Sequence, residues 1–510
     1  MVTRRGFLEQ TGAAALVLGM PALRRAERPR ITDGVQSGDV TARSAVVWAR
    51  ADRMARMLVE TAPTESFATA RMHPGPFATA ETDFTAKLDL AGLPPGQDVY
   101  YRVSFSDGGV RGEPVVGHLR TAPAGRQDVR FVWSGDTCGQ GWGINPDFGG
   151  LRMYETMRAA DPDFLLHSGD TVYADGPLEE RVDLEGGGMW RNIVTPAKAK
   201  VAETLDEFRG QYRYSLMDEH VRRFNAQVPV LAQWDDHETT NNWWPGEILD
   251  DDRYTVRDVD MLAARGRQAF FEYMPLRGQS RVNRVVAYGP SLDVIFLDMR
   301  TNRGPNSAND QASGSPILGA AQLAWVKREL ERSTATWKVI AADIPIGLVV
   351  RDGDAAFEGV ANAQGGPPLG RERELADLLA HIQRQRIANL VWLTADVHYT
   401  AAHRYDPSRA AFSDFDPFWE FVSGPIHAGT GDVNELDPTF GPEVVFAKAS
   451  DVAGASPADG LQFFGEVAIA GDTEVMTVRL RDLAGTVLHE TTLDPSRLDD
   501  RDGGERRCVD

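Results

Sequence analysis

The chain has 510 residues, and 42% of them are hydrophobic and 25% charged, the composition of a globular protein with room for about three domains. Lys and Arg total 54 against 74 Asp and Glu, a formal net charge of −20; a field of that sign repels nucleic-acid phosphates, so stable nucleic-acid binding is not expected, and any phosphate chemistry needs bound cations or a local basic cluster. Only two cysteines are present, Cys138 and Cys508, which excludes a disulfide framework and a Cys-rich zinc module.

At the start, Thr3-Arg4-Arg5-Gly6-Phe7-Leu8 precedes a modest apolar run from Gly12 to Leu23, closed by Arg24 and Arg25. The run is shorter than the ~20 residues that cross a bilayer. Paired arginines ahead of a short, weakly apolar segment resemble a twin-arginine export signal. Residues 1–29 are therefore expected to be a signal peptide read by the twin-arginine translocase. The mature protein is expected in the periplasm or secreted, with no transmembrane anchor.

Residues 30–122 read as short strands. Ala45-Val46-Val47-Trp48 and Met57-Leu58-Val59-Glu60 are β-rich, and Phe84 to Leu90 alternates with period two. Leu93-Pro94-Pro95-Gly96 turns the chain into Tyr100 to Phe105. This spacing predicts a β-sandwich, and Leu-x-Gly-Leu-x-Pro-Gly before Tyr-x-Val resembles a fibronectin-type or immunoglobulin-like module.

From Val129 the pattern becomes an apolar strand, a polar cluster at its carboxyl end, then a helix. Val129–Trp133 leads to Asp136, Asp163–His167 to Asp170, and Val228–Trp234 to Asp235-Asp236-His237-Glu238. Val294–Leu297 leads to Asp298 and Arg300, Trp337–Ala342 to Asp343, and Asn389–Leu393 to Asp396-Val397-His398. This is α/β grammar, and ligands in such folds gather at the carboxyl ends of strands. Residues 123–495 are read as the catalytic domain and 496–510 as a frayed tail.

Asp, His, Tyr and Cys are the donors of hard and borderline metals. Taken singly, each has an ordinary structural explanation: Asp170 as a turn or cap residue, Cys138 as a small buried hydrophobe, Tyr173 as packing. Their placement at successive strand ends favours a metal centre. A two-metal site would neutralise a phosphate and lower the pKa of a bound water, answering the charge problem. His427, after Gly424-Pro425, is read as a loop residue and not a ligand. Arg300 is a candidate phosphate clamp, with a structural ion pair as the competing reading.

Asp-x-Cys at 136–138, Gly-Asp-x-x-Tyr at 169–173, Trp-Asp-Asp-His-Glu at 234–238 and Ala-Asp-Val-His at 395–398 together resemble the calcineurin-like metallophosphoesterases, and specifically the alkaline phosphatase D family. Gly34-Val35-Gln36-Ser37-Gly38-Asp39, Asp298-Met299-Arg300 and Glu420-Phe421-Val422-Ser423-Gly424-Pro425 extend the resemblance over nearly the whole chain. It implies an α/β metallophosphoesterase-like fold, a β-sheet core with flanking helices, behind an N-terminal all-β domain. It implies an exported phosphoester hydrolase, an alkaline phosphatase or phosphodiesterase that attacks with a metal-activated hydroxide. A phospholipase D-like diesterase and a non-catalytic surface protein with a degenerate site are the alternatives. By the resemblance Asp170 bridges two metals; Cys138, Tyr173 and His398 hold Fe(3+); Asp236 and Asp396 hold Ca(2+); His237 contacts phosphate and protonates the leaving oxygen. Asp136 departs from many family members and is either a further ligand or a loop-orienting residue. Asp343, near the place of a missing Val-x-x-His, is either a ligand or a cap. Asp235 and Glu238 are outer ligands or further calcium donors.

Overall fold

Strand 129–134 shows how the core is built. Phe131 and Trp133 point into one apolar cluster and Val132 into another, as period-two geometry requires of a strand covered on both faces. Val294, Val339, Val391 and Leu393 share the first cluster, while Ile295, Ile340 and Trp392 point into a third. The first cluster is thus the seam between two facing sheets. The second cluster is roofed by the helices Arg152–Ala159, Leu205–Ser215, Glu219–Gln227 and Val259–Tyr273. The third is roofed by Gly319–Arg332 and Glu372–Arg384. The result is a sandwich of two sheets flanked by helices. This is a computed structural model, and it describes residues 28–278 and 280–496. The expected signal at 1–29 and tail at 496–510 lie outside the described residues, save 28, 29 and 496.

One sheet has nine strands, in the order Val487–Leu493, Met476–Asp482, Phe463–Ile469, Val129–Ser134, Phe164–His167, Val230–Ala232, Ile31–Gly38, Ser44–Ala51 and Thr85–Ala91. The other has seven: Arg284–Ala287, Leu292–Phe296, Trp337–Ala341, Leu390–Thr394, Phe418–Val422, Thr400–Tyr405 and Pro442–Lys448. The central strands of each are parallel, so their carboxyl ends face one edge of the sandwich. Trp133 Nε1 donates to the Thr394 carbonyl at 3.3 Å and ties the sheets together beside that edge.

The expected N-terminal strands form, but they do not stand apart. Ile31–Gly38 pairs in parallel with Val230–Ala232 through Gly38 and Val230, so one layer of the β region continues the nine-stranded sheet. A Cβ at Gly38 would overlap the carbonyl oxygens of Val230 and Pro275; glycine is what allows this close approach. Trp48 Nε1 donates to the Glu272 carbonyl at 2.8 Å across the same junction. The remaining layer, Arg71–Ala78, Ala55–Ala62, Asp98–Asp107, Val110–Arg111 and Val115–Arg120, forms a separate five-stranded sheet. No helix among the described residues is long and apolar enough to cross a membrane.

Candidate metal centre

Three of the strand-end loops that carry candidate donors turn through left-handed backbone. Asp136 has φ +69°, Asp170 +51°, Asp396 +66° and His398 +60°. Asp and His tolerate this region better than most side chains, and such departures cluster where a site over-determines the backbone. The loops are also pressed together: a Cβ at Gly424 would overlap Asp136 Oδ2.

Three overlapping groupings of donor atoms result, the atoms of each lying within 4.8 Å of one another. They are Asp136, Asp170 and His398; Asp170, Asp236 and His237; and Asp235, Asp236 and Asp396. Asp170 belongs to two of them, as a bridging carboxylate does. Tyr173 joins the first, its hydroxyl 2.7 Å from His398 Nε2, while Asp136 Oδ1 is 3.3 Å from the same nitrogen. His398 Nδ1 donates to the Gly429 carbonyl at 2.6 Å, which leaves Nε2 as the donor atom facing the cluster.

His237 is held differently. Its Nδ1 lies 2.7 Å from Asp175 Oδ1, and Asp175 Oδ2 accepts from the Asn241 backbone at 2.8 Å. The Tyr173 ring stacks on the imidazole at 4.2 Å. Nε2 is therefore the free nitrogen, 4.0 Å from Asp236 Oδ1. Burial alone would lower the His237 pKa; Asp175, Asp236 and Asp170 outweigh it and raise the group well above its ordinary value.

Glu238 is a clamp, not a donor. Its carboxylate accepts from the backbone of Asp170, Thr171 and Asp235, at 3.2, 2.6 and 2.8 Å, and from the Thr171 hydroxyl. It thereby fixes two of the strand-end loops. Arg300 is fully buried beneath the cluster. Its guanidinium is directed at Asp235, Asp343 and Glu358, with Asp396 Oδ1 at 3.5 Å. A clamp for a substrate phosphate needs free donors facing the opening; Arg300 spends its donors on carboxylates, and the ion-pair reading is the one the geometry takes. Asp343 lies with it, fully buried.

Cys138 is not brought to the cluster, contrary to the expectation of an iron-bound thiolate. Two residues beyond Asp136 and with φ +61°, its side chain turns into the helix-covered apolar cluster beside Ser215 and Lys198. Burial pushes its thiol up to about 12. Asp136 takes the place at the donor group instead. His427 serves its loop: its carbonyl accepts from Cys138 and Gly139, and Nε2 donates to the Gly143 carbonyl at 3.1 Å. Asp175 and Glu358 were not anticipated. Asp175 had a signal, two residues past Tyr173 in Gly-Asp-Thr-Val-Tyr-Ala-Asp; Glu358 lies in an irregular segment with none.

The donor set fits metal ions. Both oxygens of Asp136 and Oδ1 of Asp236 are buried with no hydrogen-bond partner, a cost that native structures avoid unless something else satisfies them. Burial, with the neighbouring like charges, pushes Asp170, Asp235 and Asp396 well above the ordinary carboxylate range, and Tyr173 well above that of a phenol. Cations within the cluster would reverse these shifts.

The sequence profile of the PhoD-like phosphatase family matches residues 131–480, and that of the N-terminal domain of PhoD-like phosphatases matches residues 18–123. Alkaline phosphatase D of Bacillus subtilis (strain 168) is 28% identical over 395 residues, 72% of this chain and 64% of that protein, a little under two thirds of the relative's length. A solved structure of PhoD superposes with a TM-score of 0.70 at 20% identity, covering 91% of this chain and 89% of that one. The purple acid phosphatase PPD1 from yellow lupin seeds superposes with a TM-score of 0.57 at 14% identity, covering 92% and 74%. At these identities the two structures are similar in fold.

Proposed function

The chain belongs to the PhoD-like phosphatase family, and from that premise we propose that it hydrolyses phosphate esters at the carboxyl edge of its two sheets. The observation that carries this reading is the sharing of Asp170 and Asp236 among three donor groupings on separate strand ends. Asp136, Asp170, Tyr173 and His398 suit a ferric ion, because phenolate and carboxylate are hard anionic donors. Asp170, Asp236 and Asp396, oxygen donors throughout, suit calcium. When bound, these ions supply positive charge for the phosphate and lower the pKa of a water.

The protein's own contribution is positioning and proton supply. Asp175 holds His237 Nδ1–H, and the Tyr173 ring fixes the imidazole plane, so the Nε2 proton is presented over Asp170 and Asp236. That proton goes to the ester oxygen as it leaves. Glu238 keeps the two loops in register while this happens.

The test is a panel of phosphomonoesters, phosphodiesters and phospholipids assayed on protein of known metal content, before and after chelation. Turnover should fall with mild chelation while iron stays bound, and calcium should restore it. Full-rate hydrolysis by stripped protein would sink the metal reading, and turnover of phospholipids above all other esters would move the substrate class to lipid diesters. Export by the twin-arginine route is proposed on Arg4-Arg5. It accords with donors on distant strands that meet only after folding. Arg4→Lys with Arg5→Lys should leave folded enzyme in the cytoplasm on fractionation; normal export of that variant would refute it.

A further inference from the structure

Arg300 faces the same carboxylates that would hold the second cation. Its Nη2 is 3.5 Å from Asp396 Oδ1 and 3.9 Å from Asp236 Oδ1, and it contacts Asp235 Oδ1, which also accepts from Nε at 2.6 Å. Those three acids are the grouping whose oxygens lie within 4.8 Å of one another. Nε is shared with Asp343 Oδ2 at 3.1 Å, and Nη1 goes to Glu358. Arg303 stands behind it, buried, with Nη1 3.7 Å from Glu358 Oε1. Five carboxylates thus meet two guanidiniums, all of them buried except Asp396, which is partly exposed.

A buried carboxylate without a partner is costly enough to protonate or to unfold its surroundings. A side-chain cation is present at every metal concentration, so it can hold such a group of acids in place before any ion arrives. It also subtracts from the field that draws the ion in. We propose that Arg300 is a built-in counter-ion of the Asp235, Asp236 and Asp396 arm, positioning these donors in the metal-free protein and keeping a divalent cation there weakly held and exchangeable. The proposal rests on the reading that this arm takes a hard divalent ion. Arg300 touches no reacting atom and is a positioning residue.

The test titrates calcium chloride into the metal-stripped full chain, by calorimetry and by thermal melting, for wild type, Arg300→Met and Arg300→Lys. In Arg300→Met the metal-free melting temperature should fall and calcium affinity should tighten about tenfold or more, the order expected when one charge is removed within a few ångströms of a divalent ion. The gain in melting temperature on adding calcium should exceed that of wild type, and Arg300→Lys should stay near wild type in both measures. Should Arg300→Met fold only in calcium, the proposal is supported; failure to fold with or without calcium overturns it. Unchanged or weaker calcium binding in a folded Arg300→Met overturns it too, as does Arg300→Lys behaving like Arg300→Met. Calcium binding absent from wild type would instead overturn the metal reading of the arm, and this role with it.

Discussion

In the N-terminal β region Glu60 stands opposite Arg102 across a strand pair and takes both of its forks, Nε at 2.8 Å and Nη2 at 3.0 Å, with Arg111 closing on the same carboxylate. At the carboxyl edge of the two sheets, Asp235, Asp236, Asp343, Glu358 and Asp396 crowd around Arg300. The two regions use the same kinds of side chain, with arginines in excess in one and acids in excess in the other. The hydrogen bonds from Arg102, helped by Arg111, hold the Glu60 carboxyl down to about 2, whereas burial and like charge push Asp235 and Asp396 far up. A carboxylate outnumbered by arginines is finished as structure. Acids that outnumber their arginines leave a charge deficit that folding alone does not settle, and that deficit marks the site.

The largest effect is expected at His237. His237→Ala should lower kcat by roughly 10²–10⁴, as loss of a general acid does, with metal content and melting temperature little changed. Asp175→Asn should cost less, about 10–100-fold, because it only misorients the imidazole. It should also move the high-pH limb of the rate profile to lower pH, since Asp175 raises the His237 pKa. If either variant loses its metals, His237 belongs to the ligand set and not to proton supply.

On the closed side, Glu60→Gln should leave kcat unchanged and cost about 1 kcal/mol, a value kept low because the arginines are about a third exposed. The sign follows from a folded pKa below the unfolded one: the contribution is complete above about pH 4.5 and is lost as the pH falls toward about 2. Melting curves at neutral pH and near pH 3 should therefore show the gap between wild type and variant narrowing in acid. A constant gap would mean that packing, not charge, is at work.

The smallest effect is expected at Cys138. Cys138→Ala should retain iron content and turnover, because the thiol packs in the apolar cluster and Asp136 stands at the donor group. Loss of iron in this variant, or of a visible charge-transfer band that Tyr173→Phe should also remove, would return the thiol to the metal.

The strands and the order of their polar endings are readable from residue order alone. Phe131 and Trp133 against Val132, or Val294 against Ile295, alternate in a way that only a strand buried on both faces requires, and Asp136, Asp170, Asp236, Asp396 and His398 follow such strands directly. Parallel strands carry their carboxyl ends to one edge, so convergence of these residues was legible without coordinates. The direction of each side chain within its loop was not. Asp136 and Cys138 are two residues apart, both at positive φ, yet one faces the donors and the other the core. Arg300 read as a clamp because its charge was visible in the sequence, whereas Glu358, 58 residues away and in contact with it, was not. The continuation of the N-terminal strands into the large sheet turned on a single close approach at Gly38. Which groups share a buried volume, and how many charges of each sign it holds, is set by long-range packing, which residue order does not express.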